Sequence, residues 1–228
     1  MLYGYDNIIL EGTLLTLKLT CSSLLLAVTF GLVFSSAKLS NNMFLRLIGS
    51  TYTTLIRSIP DLVLMLLVYY NLQALFNQFT DAFSLQQIDI SPLLAGIITL
   101  GFIYGAYFTE TFRGAFLSVP KGQIEAAHAY GLSAKEVFYH VTLPQMLHFA
   151  LPGISNNLQV VIKATALVSI IGLQDIIKST QIAGAATMHV LYFSLIAGLI
   201  YLIITSFANF FLNILKQRFS RGIKVNQL

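Results

Sequence analysis

The chain has 228 residues, 56% of them hydrophobic and 10% charged, with a formal net charge of +4. A mean hydropathy of +0.77 excludes an ordinary soluble domain and makes lipid the expected surroundings. The single cysteine, Cys21, excludes an internal disulfide and a Cys-based zinc site, and it reads as a small buried hydrophobe.

A helix that crosses a hydrocarbon core of about 30 Å needs about 20 mainly apolar residues. The N-terminal MLYGYDNIILEG lacks the basic region and small-residue cleavage site of a secretory signal, so the first apolar segment is expected to stay in the mature protein. Five spans follow in chain order, at about 12–36, 52–77, 92–114, 149–171 and 190–215. Lys and Arg collect in cytoplasmic loops. Here Lys38 and Arg46 flank the first connection, Arg113, Lys121 and Lys135 surround the third, and Lys216, Arg218, Arg221 and Lys224 crowd the tail. Acidic residues hold the alternate segments: Asp6 and Glu11, then Asp81 and Asp89, then Asp175 with only Lys178. This places the N-terminus outside and the C-terminus in the cytoplasm. The same bias explains the surplus positive charge, and no nucleic acid is called for.

The third connection holds the one polar island, KGQIEAAHAYGLSAKEVFYHVTLP. Pro120 can open a helix and Gly131 can close it, with Ile124, Ala127 and Tyr130 along one side. Ser133 and Glu136 then stand at capping-box spacing, which predicts a second helix carrying Val137, Phe138 and Val141. Pro144 discourages helical geometry at Leu143, so this second helix is expected to stop there. Two short helices joined by a glycine corner fit either an ordinary interfacial loop or a knob on which another protein docks.

The string Glu125-Ala126-Ala127, followed by Gly131 and then Leu143-Pro144, resembles the EAA signature of permease subunits in ATP-binding-cassette importers. YTTLIRSIPDLVLMLLVYYNLQ, GFIYGAYFTETFRGAFLSVPKGQ and LPGISNNLQVVIKATALVSIIGL extend the resemblance to polar amino acid permeases over nearly the whole chain. The Q-type subunits of histidine and lysine/arginine/ornithine importers are the nearest match in kind. The resemblance implies an all-α polytopic membrane bundle of the type I importer permease fold, filling 1–228 as one transmembrane domain in the bacterial inner membrane. It also implies a coupling-helix loop at about 115–148, in which Glu125, Ala126, Ala127, Gly131, Leu143 and Pro144 meet an ATPase. The implied partners are an M-type permease subunit, two cytoplasmic ATPase subunits, a periplasmic solute-binding protein, membrane lipid and an amino acid substrate. No G-x-x-x-x-G-K-[ST] cradle exists in this chain. No cofactor is therefore expected in it, and the resemblance gives ATP and Mg to the ATPase partners.

Charges within spans cost about 2.5–3.5 kcal/mol each near the bilayer centre. Lys18, Arg57, Asp61, Glu110, Arg113 and Lys163 are the cases. Arg57 with Asp61 and Glu110 with Arg113 have the spacing of ion pairs on one helix face. Asp61 has a second reading. It follows Pro60, which loosens a helix where irregular backbone can line a cavity, and its carboxylate suits a cationic amino acid in transit. The family's R-G-T-P-L pattern reads Arg57-Ser58-Ile59-Pro60-Asp61 here, so Ser58 and Asp61 depart from it. Two further departures remove acids: Asn156-Asn157 stands for Asn-Glu, and Lys163-Ala164-Thr165 for K-D-T. The M-type partner is expected to supply those acids. Asn156, Asn157, Gln159, Lys163 and Thr165 are candidates to line the path, with interhelical polar packing an equal account. Glu110 is also a path candidate, and a proton relay through Asp61 and Glu110 would suit the alternative, an ion-coupled secondary transporter or channel. His128, His140, His148 and His189 have no metal-ligand spacing.

Overall fold

The structure is a computed structural model that describes residues 2–83, 86 and 89–219. Helices account for the fold, and the described residues include no strand. Among the described residues, five helices are long and apolar enough to cross a membrane. The first, α1, runs over Asp6–Leu39, or about 51 Å at 1.5 Å per residue, well past the expected span at both ends.

The second expected span is two helices. α2 covers Met43–Ser58, capped by the Asn42 side chain, which accepts from the Phe44 N–H at 2.9 Å. α3 covers Asp61–Ala82. Between them Ile59 is extended, with φ −107° and ψ 140°, because the proline ring at 60 crowds the backbone before it out of the helical region. A continuous helix over 52–77 is therefore replaced by a break, and α3 alone has the length and apolarity to cross.

α4, Pro92–Leu117, begins with proline in its first turn and Ser91 as its cap. It is the hub: 61% of its most apolar stretch is buried, against 11% for α3. Leu100, Ile103, Tyr104 and Phe108 are fully or nearly fully enclosed. α1 packs on α4 backbone to backbone. A Cβ at Gly31 would stand 2.6 Å from that of Phe108, and one at Gly101 would stand 2.6 Å from the Leu26 side chain. Small residues that admit close approach drive helix association where surrounding lipid is as apolar as the side chains.

The island begins as expected. α5 spans Lys121–Ala129, and Gly131 turns the chain at φ +84°. Ser133 and Glu136 complete the capping box of α6, Ala134–Val137. The expected stop at Leu143 is absent. A five-residue π turn, Phe138–Thr142, carries the helix into α7, Leu143–Ala164, with Leu143 at φ −63° and ψ −46°. The wide turn supplies the reason: the Leu143 N–H reaches the Phe138 carbonyl, and a ring at Pro144 is accommodated where an α-turn would have clashed. A 3₁₀ stretch, Thr165–Ile171, leads to Gly172 at φ +97°.

The fourth connection, expected as a loop, contains α8, Ile176–Thr187, packed on α1 and on α9, Val190–Phe219. Arg221 and Lys224, assigned to the basic tail, lie outside the described residues. Cys21 is exposed, contrary to its reading as buried. It lines an apolar groove of about 400 Å³ with Leu17, Ile162 and Phe207, between α1, α7 and α9.

Candidate functional site

The break at Pro60 opens onto a polar seam along α4. Asp61 is the first residue of α3, where the unpaired N–H groups of a helix start favour a carboxylate. Its Oδ2 accepts from the Tyr104 hydroxyl at 2.7 Å. Arg57, the last turn of α2, lays its guanidinium over the Tyr107 ring, 5.4 Å from the centroid. The expected Arg57–Asp61 pair is not formed, since the break puts the two residues on separate helices and each finds a tyrosine of α4 instead.

Tyr104, Tyr107 and Thr111 fall on one face of α4, three and then four positions apart. Thr111 donates to the Tyr107 carbonyl at 3.1 Å and accepts from Asn157 Nδ2 at 3.0 Å. α7 reaches α4 here because Gly153 carries no side chain; a Cβ would stand 2.6 Å from Thr111 Cγ2. Gln159 donates to Asn209 of α9 at 3.0 Å. Thr165, fully buried, donates to the Ile162 carbonyl at 2.6 Å and lies 3.4 Å from the Tyr201 hydroxyl. Asn157, Gln159 and Thr165 thus hold helices together. Asn156 and Lys163 instead stand seven positions apart on an exposed face of α7, with Pro152.

Glu110 and Arg113 pair as the spacing predicts, with Arg113 Nε 2.9 Å from Oε2. The other oxygen is held by Lys38 at the end of α1, which also donates to Thr53 Oγ1 of α2 at 2.8 Å. Lys18 is exposed on α1.

On the island, Glu125, Ala126, Gly131 and Pro144 are exposed, Leu143 is half-buried, and Ala127 packs inward. The opposite end of the bundle holds Asp175. Its Oδ1 caps α8 by accepting from the Lys178 N–H at 2.9 Å, and its Oδ2 has no partner. The adjacent Ile176 N–H donates to Thr16 of α1 at 3.2 Å. Tyr104, Tyr107 and Thr111 were not candidates from sequence, because tyrosines and threonines in an apolar run look like packing residues. Lys38 was missed as a partner because 72 positions separate it from Glu110.

Among the described residues, five helices fit to cross a membrane, a hub with a polar seam and a helical island at one end define a polytopic membrane component. The chain belongs to the binding-protein-dependent transport system inner membrane component family, whose model matches residues 27–221. It is 56% identical over 224 residues, 98% of each chain, to the histidine/lysine/arginine/ornithine transport system permease protein HisQ of Salmonella typhimurium. A crystal structure of an amino acid ABC transporter with histidines superposes with a TM-score of 0.79 at 28% identity, over 94% of this chain and 95% of that one. An inward-facing MetNI methionine ABC transporter shares the fold, with a TM-score of 0.74 at 18% identity over 97% and 100% of the chains. The type I importer permease fold and an inner-membrane location follow.

Proposed function

We propose that this chain is the Q-type permease subunit of an ATP-driven importer for basic and polar amino acids: histidine, lysine, arginine and ornithine. The observation that carries this reading is the 56% identity to HisQ across 98% of both chains. Residues 1–228 act as one transmembrane permease domain, with the N-terminus outside, the C-terminus in the cytoplasm and a coupling loop at about 115–148. An M-type subunit pairs with it. Two cytoplasmic ATPase subunits bind ATP and Mg, and a periplasmic binding protein delivers substrate.

In this reading α5 is the foot that an ATPase moves. Glu125, Ala126 and Ala127 seat it, Gly131 turns the chain behind it, and Leu143-Pro144 pass the motion through the π turn into α7. Closing the ATPases on nucleotide favours one of two permease states, and differential binding of nucleotide to those states supplies the work. Substrate passes beside the break at Pro60. Asp61 draws the cationic side chain, Arg57 lies next to it, and Asn156 and Lys163 border the path on α7. Asn157, Gln159 and Thr165 fix the helices around it. The half-buried Asp61 keeps one oxygen bonded to Tyr104, and its other oxygen remains an acceptor for a cation.

The test is a reconstituted complex whose ATP hydrolysis and uptake are measured with binding protein carrying histidine, arginine, lysine or glutamine. Stimulation by the basic amino acids over glutamine is expected. Asp61→Asn should lower lysine and arginine uptake about tenfold relative to histidine, the loss of about 1.4 kcal/mol of charge attraction. Uptake driven by a proton gradient without ATPase subunits would overturn the proposal.

A further inference from the structure

The basic end of the bundle holds a three-charge cluster of Lys38, Glu110 and Arg113. Both Glu110 oxygens are taken, one by Lys38 and one by Arg113, and the Glu110 and Lys38 side chains are only 19% and 14% exposed. Such enclosure costs two hydrated ions their water, so the arrangement persists through its geometry. That geometry is built by three helices. Lys38 comes from the last turn of α1, Glu110 and Arg113 from the end of α4, and Thr53 of α2 receives the second Lys38 bond at 2.8 Å. Gly49 of α2 lets the lysine stem cross; a Cβ there would stand 2.7 Å from Lys38 Cγ.

We propose that Glu110 is a positioning residue that clamps the α1–α2 elbow to the stalk of the coupling helix. Only Ser118–Pro120 separates the end of α4 from α5, and Val119 in that link is buried. A push on α5 therefore arrives first at the last turns of α4. The clamp shares it with α1 and α2, and α2 leads directly to the Pro60 break where Arg57 and Asp61 stand. The cluster is the mechanical link between the foot and the polar seam. Without the carboxylate, Lys38 and Arg113 would repel across the same gap and free the elbow from the stalk.

This inference rests on α5 being the coupling helix. Its test uses the whole complex with its ATPase, partner permease and binding protein, comparing wild type with Glu110→Gln, Lys38→Met, the double variant and Glu110→Asp. The readouts are the amount of assembled complex and the substrate transported per ATP hydrolysed. Glu110→Gln and Lys38→Met should each lower transport per ATP by about three- to tenfold, which lies within the range of coupling effects for connected residues. The double variant should be no worse than either alone, and Glu110→Asp should recover most of the loss. A purely structural cluster would give less complex with an unchanged ratio. That result, or losses that multiply in the double variant, would overturn the clamp. Should Glu110→Gln not assemble, Thr53→Val decides: a smaller loss in the same ratio supports the clamp and no loss overturns it. A wild-type complex that binding protein does not stimulate would remove the transport reading and the clamp together. Stimulated wild type with unaltered variants removes the clamp alone.

Discussion

Asp175 has no solvent exposure and only one of its carboxylate oxygens is partnered. Burial pushes its pKa up from 3.8 to about 6, more than the backbone N–H groups of α8 pull it down. In this case the folded chain holds a proton that the unfolded chain has already released. Stability therefore falls as pH rises from about 4 to 6 and stays at its lower level above that window. Asp175→Asn keeps a helix-capping oxygen and removes the titration. In thermal melts of the purified protein, its stability relative to wild type should rise between pH of about 4 and 6 and then stay constant. Asp175→Ala should lie about 1 kcal/mol below Asp175→Asn at every pH, for want of a cap. A wild-type slope that persists unchanged in Asp175→Asn would refute the assignment. The charge of Asp175 was plain in the sequence, but its enclosure was not. Composition placed it in a loop, whereas the close approach of α1 at Gly12 and Thr16 helps to bury it.

At the scale of elements, the island shows what local chemistry can and cannot decide. Gly131 sits at φ +84°, with nothing within 4 Å of where a Cβ would be. A side chain there meets open space, so its cost is backbone strain of about 1–3 kcal/mol. Gly131→Val should leave membrane insertion intact and sharply lower the stimulation of ATP hydrolysis by loaded binding protein; Gly131→Asn, which tolerates the left-handed region, should lower it less. Loss of the inserted chain in Gly131→Val would show that the corner serves folding instead. The capping box and this glycine were legible because each acts within four residues. The π turn was not, because Pro144 argues for a stop in any local reading. Burial of Val137 and Met146 on either side keeps the helix going. α8 escaped notice for a related reason. Its short sequence is rich in small polar residues and lacks an apolar face of crossing length, and it is held by close contacts such as Gly12 on Ser179 and Gly184 on Val190. The proline break between α2 and α3 was half legible: the loosening followed from Pro60, but the new partners of Arg57 and Asp61 depend on where α4 lies.

For the whole molecule, topology sorts the loop charges by sign to two ends of the bundle. Asp6, Asp81, Asp89 and Asp175 belong to helix ends that meet on one side of the bundle, where Thr16 touches α8 and Tyr3 stacks 5.1 Å from His189. Lys38, Arg113, Lys121 and Lys135 belong to the other side, with the island. By the positive-inside rule we propose that the second side faces the cytoplasm, the compartment where an ATPase finds its nucleotide. Cys21, the sole cysteine, makes this testable once Cys21→Ser clears the background. Single cysteines at Gln181→Cys on α8 and His128→Cys on α5 both replace exposed side chains. A maleimide that cannot cross membranes should label the first in intact spheroplasts and the second only after permeabilisation. Labelling at 128 should then fall when ATPase subunits are present, because the foot is covered. Labelling at 128 from outside would place the island away from ATP, and a helix there could not receive work from its hydrolysis.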